Sequence, residues 1–164
     1  MTLITEDGTG LANAESYISV ADADARHAAL GNTAWASLST AAKEQALRKA
    51  AAYMTQRFRQ RWKGTRLLRA QALDWPRYGV CLDSYPVDTD VVPTDIANAC
   101  ADLALKASTE TLNADLERGI VREKVGPLET EYDPYSSQAK RYPAIDGMLS
   151  PYLSGGGMAR LIRA

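Results

Sequence analysis

The amino-acid sequence predicts a mainly α-helical protein: a small bundle of about three to four helices with an inserted β-hairpin and extended N- and C-terminal arms. Two segments place apolar residues at the spacing of one helix face, and alanine, which favours closely packed helices, dominates the apolar composition. The apolar stripes are Leu47, Ala51, Met54 and Phe58 in one segment, and Ile96, Cys100, Leu103 and Ala107 in the other. A length of 164 residues fits one domain, which we assign to residues 1–153, followed by a flexible tail at 154–164.

Helix-capping residues and helix breakers give the helices their expected limits. Ser19, with Asp22 in the positive first turn, begins the first helix, and Gly31 ends it. Either Ser39 or Thr40 can cap the second helix, and Pro93 is well placed in the first turn of the third helix. The predicted helices cover about residues 19–30, 40–62, 93–113 and 143–153.

The remaining segments predict loops, one hairpin and two terminal arms. Residues 1–15 lack periodicity and contain glycines, so we expect an extended arm there. Residues 65–91 are expected to form a structured loop that Trp75 anchors to the bundle. Two short alternating runs on either side of a Gly-Pro pair predict a β-hairpin at 120–132. The glycines of 154–157 predict a flexible joint before an apolar and basic tail.

Positive charge is concentrated in one part of the chain. Nine basic residues and a single acid, Asp74, lie between Arg48 and Arg77, so this part carries a net charge of +8 and the rest of the chain −9. Such an asymmetry indicates a polyanion or an acidic protein as a neighbour. Within this part we define the basic segment as Arg57, Arg59, Arg61, Lys63, Arg66 and Arg69.

Three explanations of the basic segment remain open at this point. Cations near the end of a helix match the negative end of its dipole, and their long side chains cover apolar surface. The same cations could instead bind the acidic face of a protein partner, or the phosphates of a nucleic acid. Trp35, Trp62 and Trp75 could then offer stacking platforms for single-stranded bases, although tryptophans more often anchor a core.

The sequence predicts no enzymatic activity, no cofactor and no metal site. His27 is the only histidine, and with Asp24 as its helix neighbour it supplies too few ligands for a metal, so we expect a plain helix-surface or core role. No glycine-rich phosphate-binding motif follows a strand. Cys81 and Cys100 lack a CxxC partner and are expected to be reduced, buried thiols. Without a secretory leader or the ~20 apolar residues that a membrane span needs, we expect a cytosolic protein with no membrane partner.

Six segments, taken in chain order, resemble a family of phage and prophage structural-module proteins. They are residues 6–19 (EDGTGLANAESYIS), 43–50 (KEQALRKA), 73–77 (LDWPR), 92–96 (VPTDI), 123–132 (EKVGPLETEY) and 151–153 (PYL). Proteins of this family are commonly described as DnaT-like single-stranded DNA-binding proteins. They are also similar to the head–tail connector, or neck adaptor, proteins of tailed phages.

The resemblance implies a structural subunit of a phage neck, which forms a ring of about twelve copies between the portal protein and the tail-side neck protein. It implies the virion neck as the final location and the host cytoplasm before assembly, with DNA present only as the transiting genome. By the same resemblance, the portal-docking tail residues are Met158, Arg160, Leu161, Ile162 and Arg163, and the inter-subunit hairpin residues are Arg122, Lys124, Glu129 and Glu131.

The charge asymmetry suits the head-to-tail contacts of such a ring, so we expect most of the basic segment to face protein. The alternative is a DnaT-like accessory protein that binds single-stranded DNA, whose salt-sensitive binding would depend on Arg59, Lys63 and Trp62. A small regulatory helical protein is a third alternative. It would need a DNA-recognition helix, of which the core-striped, alanine-rich helices give no sign.

Overall fold

The computed structural model describes residues 2–114, 120–124, 129–132 and 140–155, and helices dominate this part of the chain. The α-helices are α1 (Val20–Ala29), α2 (Thr33–Ala36), α3 (Thr40–Phe58), α4 (Thr94–Ala107) and α5 (Pro143–Leu149), and a 3₁₀ turn, Ser150–Tyr152, follows α5. The strands form three antiparallel pairs: β1 (Thr65–Arg66) with β2 (Arg77–Tyr78), β3 (Cys81–Leu82) with β4 (Tyr85–Pro86), and β5 (Ile120–Lys124) with β6 (Glu129–Tyr132). The predicted fold class is confirmed.

The packing of α3 against α4 forms the centre of the protein. Both predicted apolar stripes are buried, and no member of either stripe is more than 4% exposed. Alanines beside the stripes are buried as well and let the two helix backbones approach closely; they are Ala46, Ala50, Ala99, Ala101 and Ala104. Burial of each large apolar side chain contributes roughly 1.5–3 kcal/mol, so this interface is a major source of stability. Helices α1 and α5 pack onto the same α4.

Helices α3 and α4 end earlier than the sequence predicts. Helix α3 ends at Phe58, four residues early, because the chain turns there and brings Trp62 into a bridge with Leu153. This tertiary contact outweighs the local preference for helix. Helix α4 ends at Ala107, six residues before the predicted limit of 113. Just beyond it, the Ser108 and Thr109 hydroxyls donate to backbone carbonyls of the last turn. Such side-chain bonds compete with the backbone bonds that would continue the helix.

The other helix limits follow from local chemistry. Helix α1 begins as predicted, because the Ser19 hydroxyl accepts the backbone N–H of Asp22 at 3.1 Å. Helix α2 was not predicted, since its four residues are too few to show a helical period; it buries Trp35. Helix α5 is shorter than the predicted 143–153, and Pro151, which lacks a backbone N–H, falls in the 3₁₀ turn after it.

A buried carboxylate organises the N-terminal segment, which we define as residues 2–19. The segment contains no helix, as predicted, and it lies against the bundle. Glu6 is 4% exposed, and its carboxylate accepts the backbone N–H groups of Gly8 (3.1 Å), Gly10 (2.8 Å) and Leu11 (2.9 Å). A β-bridge between Thr5 and Ser16 closes the turn. The Glu-Asp-Gly-Thr-Gly-Leu motif of the sequence is therefore a folding element.

The predicted structured loop at 65–91 contains two of the short strand pairs, which the sequence did not indicate. Trp75 anchors this loop, as predicted: its ring is fully buried and packs edge-on against Trp62 at 5.9 Å and Tyr152 at 5.6 Å. The Tyr152 hydroxyl in turn donates to Asp95 of α4 at 2.9 Å. One aromatic stack thus connects the loop, the C-terminal turn and the start of α4.

The predicted β-hairpin is confirmed as β5 and β6, with Cα partners that include Arg122 with Glu131 and Lys124 with Glu129. The tail residues 158–164, predicted to dock on a partner, lie outside the described residues. Among the helices of the described part, none combines the length and the apolar character that crossing a membrane requires.

Gly8→Ala should unfold the N-terminal segment from the bundle. Gly8 has a φ of +101°, and a Cβ there would lie 1.9 Å from the carbonyl oxygen of Asp90, so the backbone must move. Gly31→Ala is the matched control, because Gly31 has a φ of +71° but nothing within 4 Å of its Cβ position. We expect the control to lower the free energy of unfolding by about 1–2 kcal/mol and Gly8→Ala by more than about 3 kcal/mol in urea titrations. Equal losses would contradict the close-contact explanation.

Candidate functional site

The most strongly basic part of the fold is the region that runs from the end of α3 through β2. We call residues 57–78 the cationic loop. It contains the whole basic segment together with Arg77, and a single acid, Asp74. The structure divides its cations into those that hold the backbone and those that face solvent, and this division decides what the loop can bind.

Arg77 is the structural centre of the cationic loop. It is 6% exposed, and its guanidinium donates to the carbonyl oxygens of Lys63 (2.7 Å), Gly64 (2.7 Å) and Asp74 (3.0 Å). Burial lowers the pKa of Arg77, and the neighbouring Asp74 opposes that change. A fork of fixed donors suits three converging carbonyls, so this arginine acts as a clamp on the loop backbone.

Asp74 is the one acid of the loop, and it lies beneath the surface. Its carboxyl group is almost completely buried, and burial raises its pKa, whereas Arg59, whose Nε lies 3.7 Å from Oδ1, opposes the rise. The Trp62 indole also opposes the rise in the Asp74 pKa. Its Nε1 and the Asp74 Oδ2 atom are both buried, and neither forms a hydrogen bond with a residue that the structure describes. The Asp74 backbone N–H donates to the Tyr17 hydroxyl at 3.0 Å, which ties the loop to the N-terminal segment.

Three members of the basic segment are directed at the protein itself. Lys63 donates from Nζ to the carbonyl of Pro151 at 2.7 Å, and Arg66 donates to the carbonyl of Gln71 at 3.1 Å. Arg57 is half-buried at the end of α3, with its Nε shielded from solvent. Lys63 thus holds the C-terminal turn and Arg66 holds the backbone of the loop, which is a structural use of positive charge.

The other three members face solvent. Arg59 keeps 53% of its side chain exposed beside Asp74, and both Arg61 and Arg69 are exposed. The Arg61 guanidinium lies 6.0 Å from the centre of the Phe58 ring, a cation–π distance. Arg61 and Arg69 can attract phosphate or carboxylate groups without giving up an ion pair of the fold, whereas Arg59 also balances the buried Asp74 carboxyl group.

Exposed aromatic side chains in this region are tyrosines, and the sequence prediction missed them. Tyr78, on β2 at the end of the cationic loop, is 66% exposed, and Tyr85, on β4, is 77% exposed. Each occupies a two-residue strand, which is too short to show the period-two alternation from which exposure is predicted. The tryptophans, for which core anchoring and base stacking were the two alternatives, are core anchors, since Trp35, Trp62 and Trp75 are at most 5% exposed. The assignment of Trp62 to DNA contact is wrong, because its ring packs within the core.

His27 has a core role, one of the two alternatives predicted for it. It is 1% exposed; Nε2 lies 3.1 Å from the Ala101 carbonyl oxygen, and Nδ1 lies 3.0 Å from the amide nitrogen of Asn32. Burial lowers the pKa of His27, which favours the neutral ring. Asp24, its predicted helix neighbour, accepts the Trp35 indole N–H and pairs with Lys43.

The remaining predicted site residues are the possible metal ligands, the two cysteines, and the residues of the hairpin and the tail. No three His, Cys, Asp or Glu side chains gather as a metal site within the described ranges. Cys100 is buried, and burial raises its pKa to about 11, whereas Cys81 is exposed on β3, so the prediction of two buried thiols is wrong for Cys81. The side chains of the hairpin residues Arg122, Lys124, Glu129 and Glu131, and the whole of the predicted docking tail, lie outside what the structure describes.

One family model, described as "Putative DnaT-like ssDNA binding protein", matches residues 1–164. The chain belongs to this family. No curated protein and no solved structure matches the chain. In this chain, two segments on which the sequence resemblance depends have clear structural roles. Residues 6–19 wrap the Glu6 carboxylate, and residues 73–77 hold the clamp of the cationic loop.

Replacing the Arg77 clamp should destabilise the protein without changing its net charge. Arg77→Lys keeps the positive charge but cannot reach three carbonyl groups at once, so at least one buried carbonyl loses its donor. We expect the free energy of unfolding in urea to fall by about 2–4 kcal/mol. Arg69→Lys, at an exposed position, should change it by less than about 0.5 kcal/mol. Equal effects of the two substitutions would show that the three contacts do not stabilise the fold.

Proposed function

We propose that this protein binds single-stranded DNA through the exposed side of the cationic loop. The observation that carries the proposal is the presence, within one loop, of three exposed arginines and one exposed aromatic ring: Arg59, Arg61, Arg69 and Tyr78. The description of the family supports the same function. The expected ligand is a flexible strand, bound mainly through its phosphates.

Phosphate contact and base stacking are the two interactions that such a surface supplies. Each arginine that neutralises a phosphate releases a counterion, which gives affinity that decreases as salt rises. An exposed tyrosine ring can stack on any base, and base stacking contributes about 1–3 kcal/mol per base. Neither interaction reads sequence, so we expect binding with little sequence preference.

The frame of the loop favours binding because it is already ordered. The Arg77 clamp and the edge-on contact between Trp75 and Trp62 fix the backbone from which the exposed side chains project. Less conformational entropy is then lost when a strand binds. The net charge of −9 outside residues 48–77 repels phosphate, which restricts the expected contact to the basic part of the chain.

Removal of two exposed arginines should weaken binding and its dependence on salt. We would measure the fluorescence anisotropy of a labelled oligothymidine between 50 and 200 mM NaCl. For the double variant Arg61→Ala, Arg69→Ala we expect a loss of affinity of at least about tenfold at the lower salt concentration. The slope of log K against log salt should fall by about 1.4, at roughly 0.7 for each lost contact.

Matched controls separate specific contacts from a general change of charge. Lys49→Ala combined with Arg141→Ala removes two exposed cations outside the cationic loop and should leave affinity within about twofold of the parent. Tyr78→Ala should weaken binding by at least about fivefold, whereas Tyr85→Ala, outside the loop, should not. The proposal is wrong if the parent protein does not bind the oligonucleotide, or if the controls weaken binding as much as the loop variants do.

A second candidate function is that of a ring subunit in a tailed-phage neck. Exposed acids follow the cationic loop in the chain, at Asp83, Asp88 and Asp90, so each subunit offers both signs of charge. Opposite charges on one subunit suit the head-to-tail contacts of a closed ring, in which the arginines of the loop would face protein. The ordered sequence resemblance supports this candidate. It would place the protein in the virion neck, between the portal protein and the tail-side neck protein.

The second candidate assigns further roles to the hairpin and the tail. Residues 120–132 would contact ring neighbours, and residues 158–164 would dock on the portal. We would quantify peptides of this protein and of the portal by mass spectrometry of purified, DNA-filled particles. Near-equal copy numbers are expected for a neck ring. Absence from particles, together with abundance in infected cells, would rule out the neck and leave single-stranded DNA binding.

A further inference from the structure

An open groove of about 430 Å³ lies between the N-terminal segment, the start of α1 and the start of α4. Its apolar lining consists mainly of Ile18, Val91, Val92 and Ala97. Val91 is 40% exposed, which leaves a β-branched apolar side chain in contact with water. The volume falls in the range of sites that hold a ligand or a short peptide.

The rim of this groove is acidic. Asp7 and Asp22 are exposed at its edge, and Glu6 lies buried below them. Asp7 bonds to Thr9, and Asp22 bonds to Ser19, but neither aspartate forms an ion pair with any residue in the described part of the chain. No basic residue is among the described residues that line the groove. An apolar floor with an unpaired acidic rim matches a ligand that is apolar and cationic.

The C-terminal end of this chain has that chemistry. Its last seven residues, 158–164, read Met-Ala-Arg-Leu-Ile-Arg-Ala, with three large apolar side chains, two arginines and no acid. The Arg-Leu-Ile-Arg run brackets two apolar side chains with two cations. This arrangement complements two carboxylates that border an apolar floor.

The last described residues contact the start of α4, the helix whose first turns border the groove. The Tyr152 hydroxyl donates to Asp95, and Asp95 follows Thr94, which lines the groove. Ser154 is held by its backbone N–H and its hydroxyl on the carbonyl of Arg61. From there, the three glycines of 155–157 extend by at most about 10 Å before the apolar and basic residues begin.

We propose that the groove is the docking site for residues 158–164 of this chain. Leu161 and Ile162 cover the exposed Val91 and the half-buried Val92, and Arg160 and Arg163 pair with the two aspartates of the rim. The inference does not use the exposed arginines of the cationic loop, so it holds or fails independently of single-stranded DNA binding, but it competes with the portal contact that the second candidate function gives to the same residues. It assigns to the tail an occupied position that is different from contact with a portal.

Photo-crosslinking of the full-length protein tests this assignment directly. Leu161 is replaced by a photoreactive benzoylphenylalanine, the protein is irradiated, and the crosslinked peptides are identified by mass spectrometry. We expect crosslinks to peptides that contain residues 5–7, 17–22 or 91–98. A mixture of light and heavy isotope-labelled chains shows whether the tail occupies the groove of its own copy or of a second copy, and either result supports the site.

Charge reversal provides the matched comparison. In the crosslinking protein, Asp7→Lys with Asp22→Lys should reduce the yield of groove crosslinks by at least about fivefold, whereas Asp83→Lys with Asp88→Lys, outside the groove, should not. Adding Arg160→Glu and Arg163→Glu to the first variant should restore the yield. Circular dichroism confirms that each variant is folded. Crosslinks that map elsewhere, or a yield that charge reversal does not change, would overturn the proposal.

Discussion

The forked contact of Arg77 with three backbone carbonyls is the interaction on which the cationic loop depends. A loop that passes beneath the surface must satisfy its carbonyl groups internally, and here one guanidinium does so for positions on both sides of the turn. The clamp fixes the backbone that carries Trp75, and the Trp75 ring seats the loop on the bundle. A buried cation therefore determines where the exposed cations project.

Net charge along the sequence overstates what this surface can offer to a partner. The segment of +8 includes side chains that serve the fold, such as Arg77 on its carbonyls and Lys63 on Pro151. Only part of the charge is presented to solvent, chiefly at Arg61 and Arg69, with Arg59 shared with a buried carboxyl group. Both proposed functions draw on these same few arginines. A copy whose arginines are engaged with a neighbouring subunit could not use them for a DNA strand.

The sequence predicted the helical framework because helix periodicity is a local signal. The α3 and α4 stripes, the Ser19 cap and the 120–132 hairpin all follow from neighbours within a few residues. The features that the sequence did not predict depend on non-local contacts. Helix α3 ends early because Trp62 pairs with the C-terminal turn, and each two-residue strand forms only by pairing with its partner strand. The site was predicted in part for the same reason. Charge can be counted along a chain, but the burial of tryptophans and the exposure of tyrosines depend on tertiary packing.

The contrast between the two cysteines gives this protein a natural position for a spectroscopic label. Cys100 is sealed within α4, and its raised pKa keeps it in the unreactive thiol form, whereas Cys81 is free and exposed. A maleimide dye or spin label would therefore attach at one site of the unmodified chain under mild conditions. That site is three residues beyond Tyr78, beside the cationic loop, so a single reporter group could follow events at this surface without any engineered substitution.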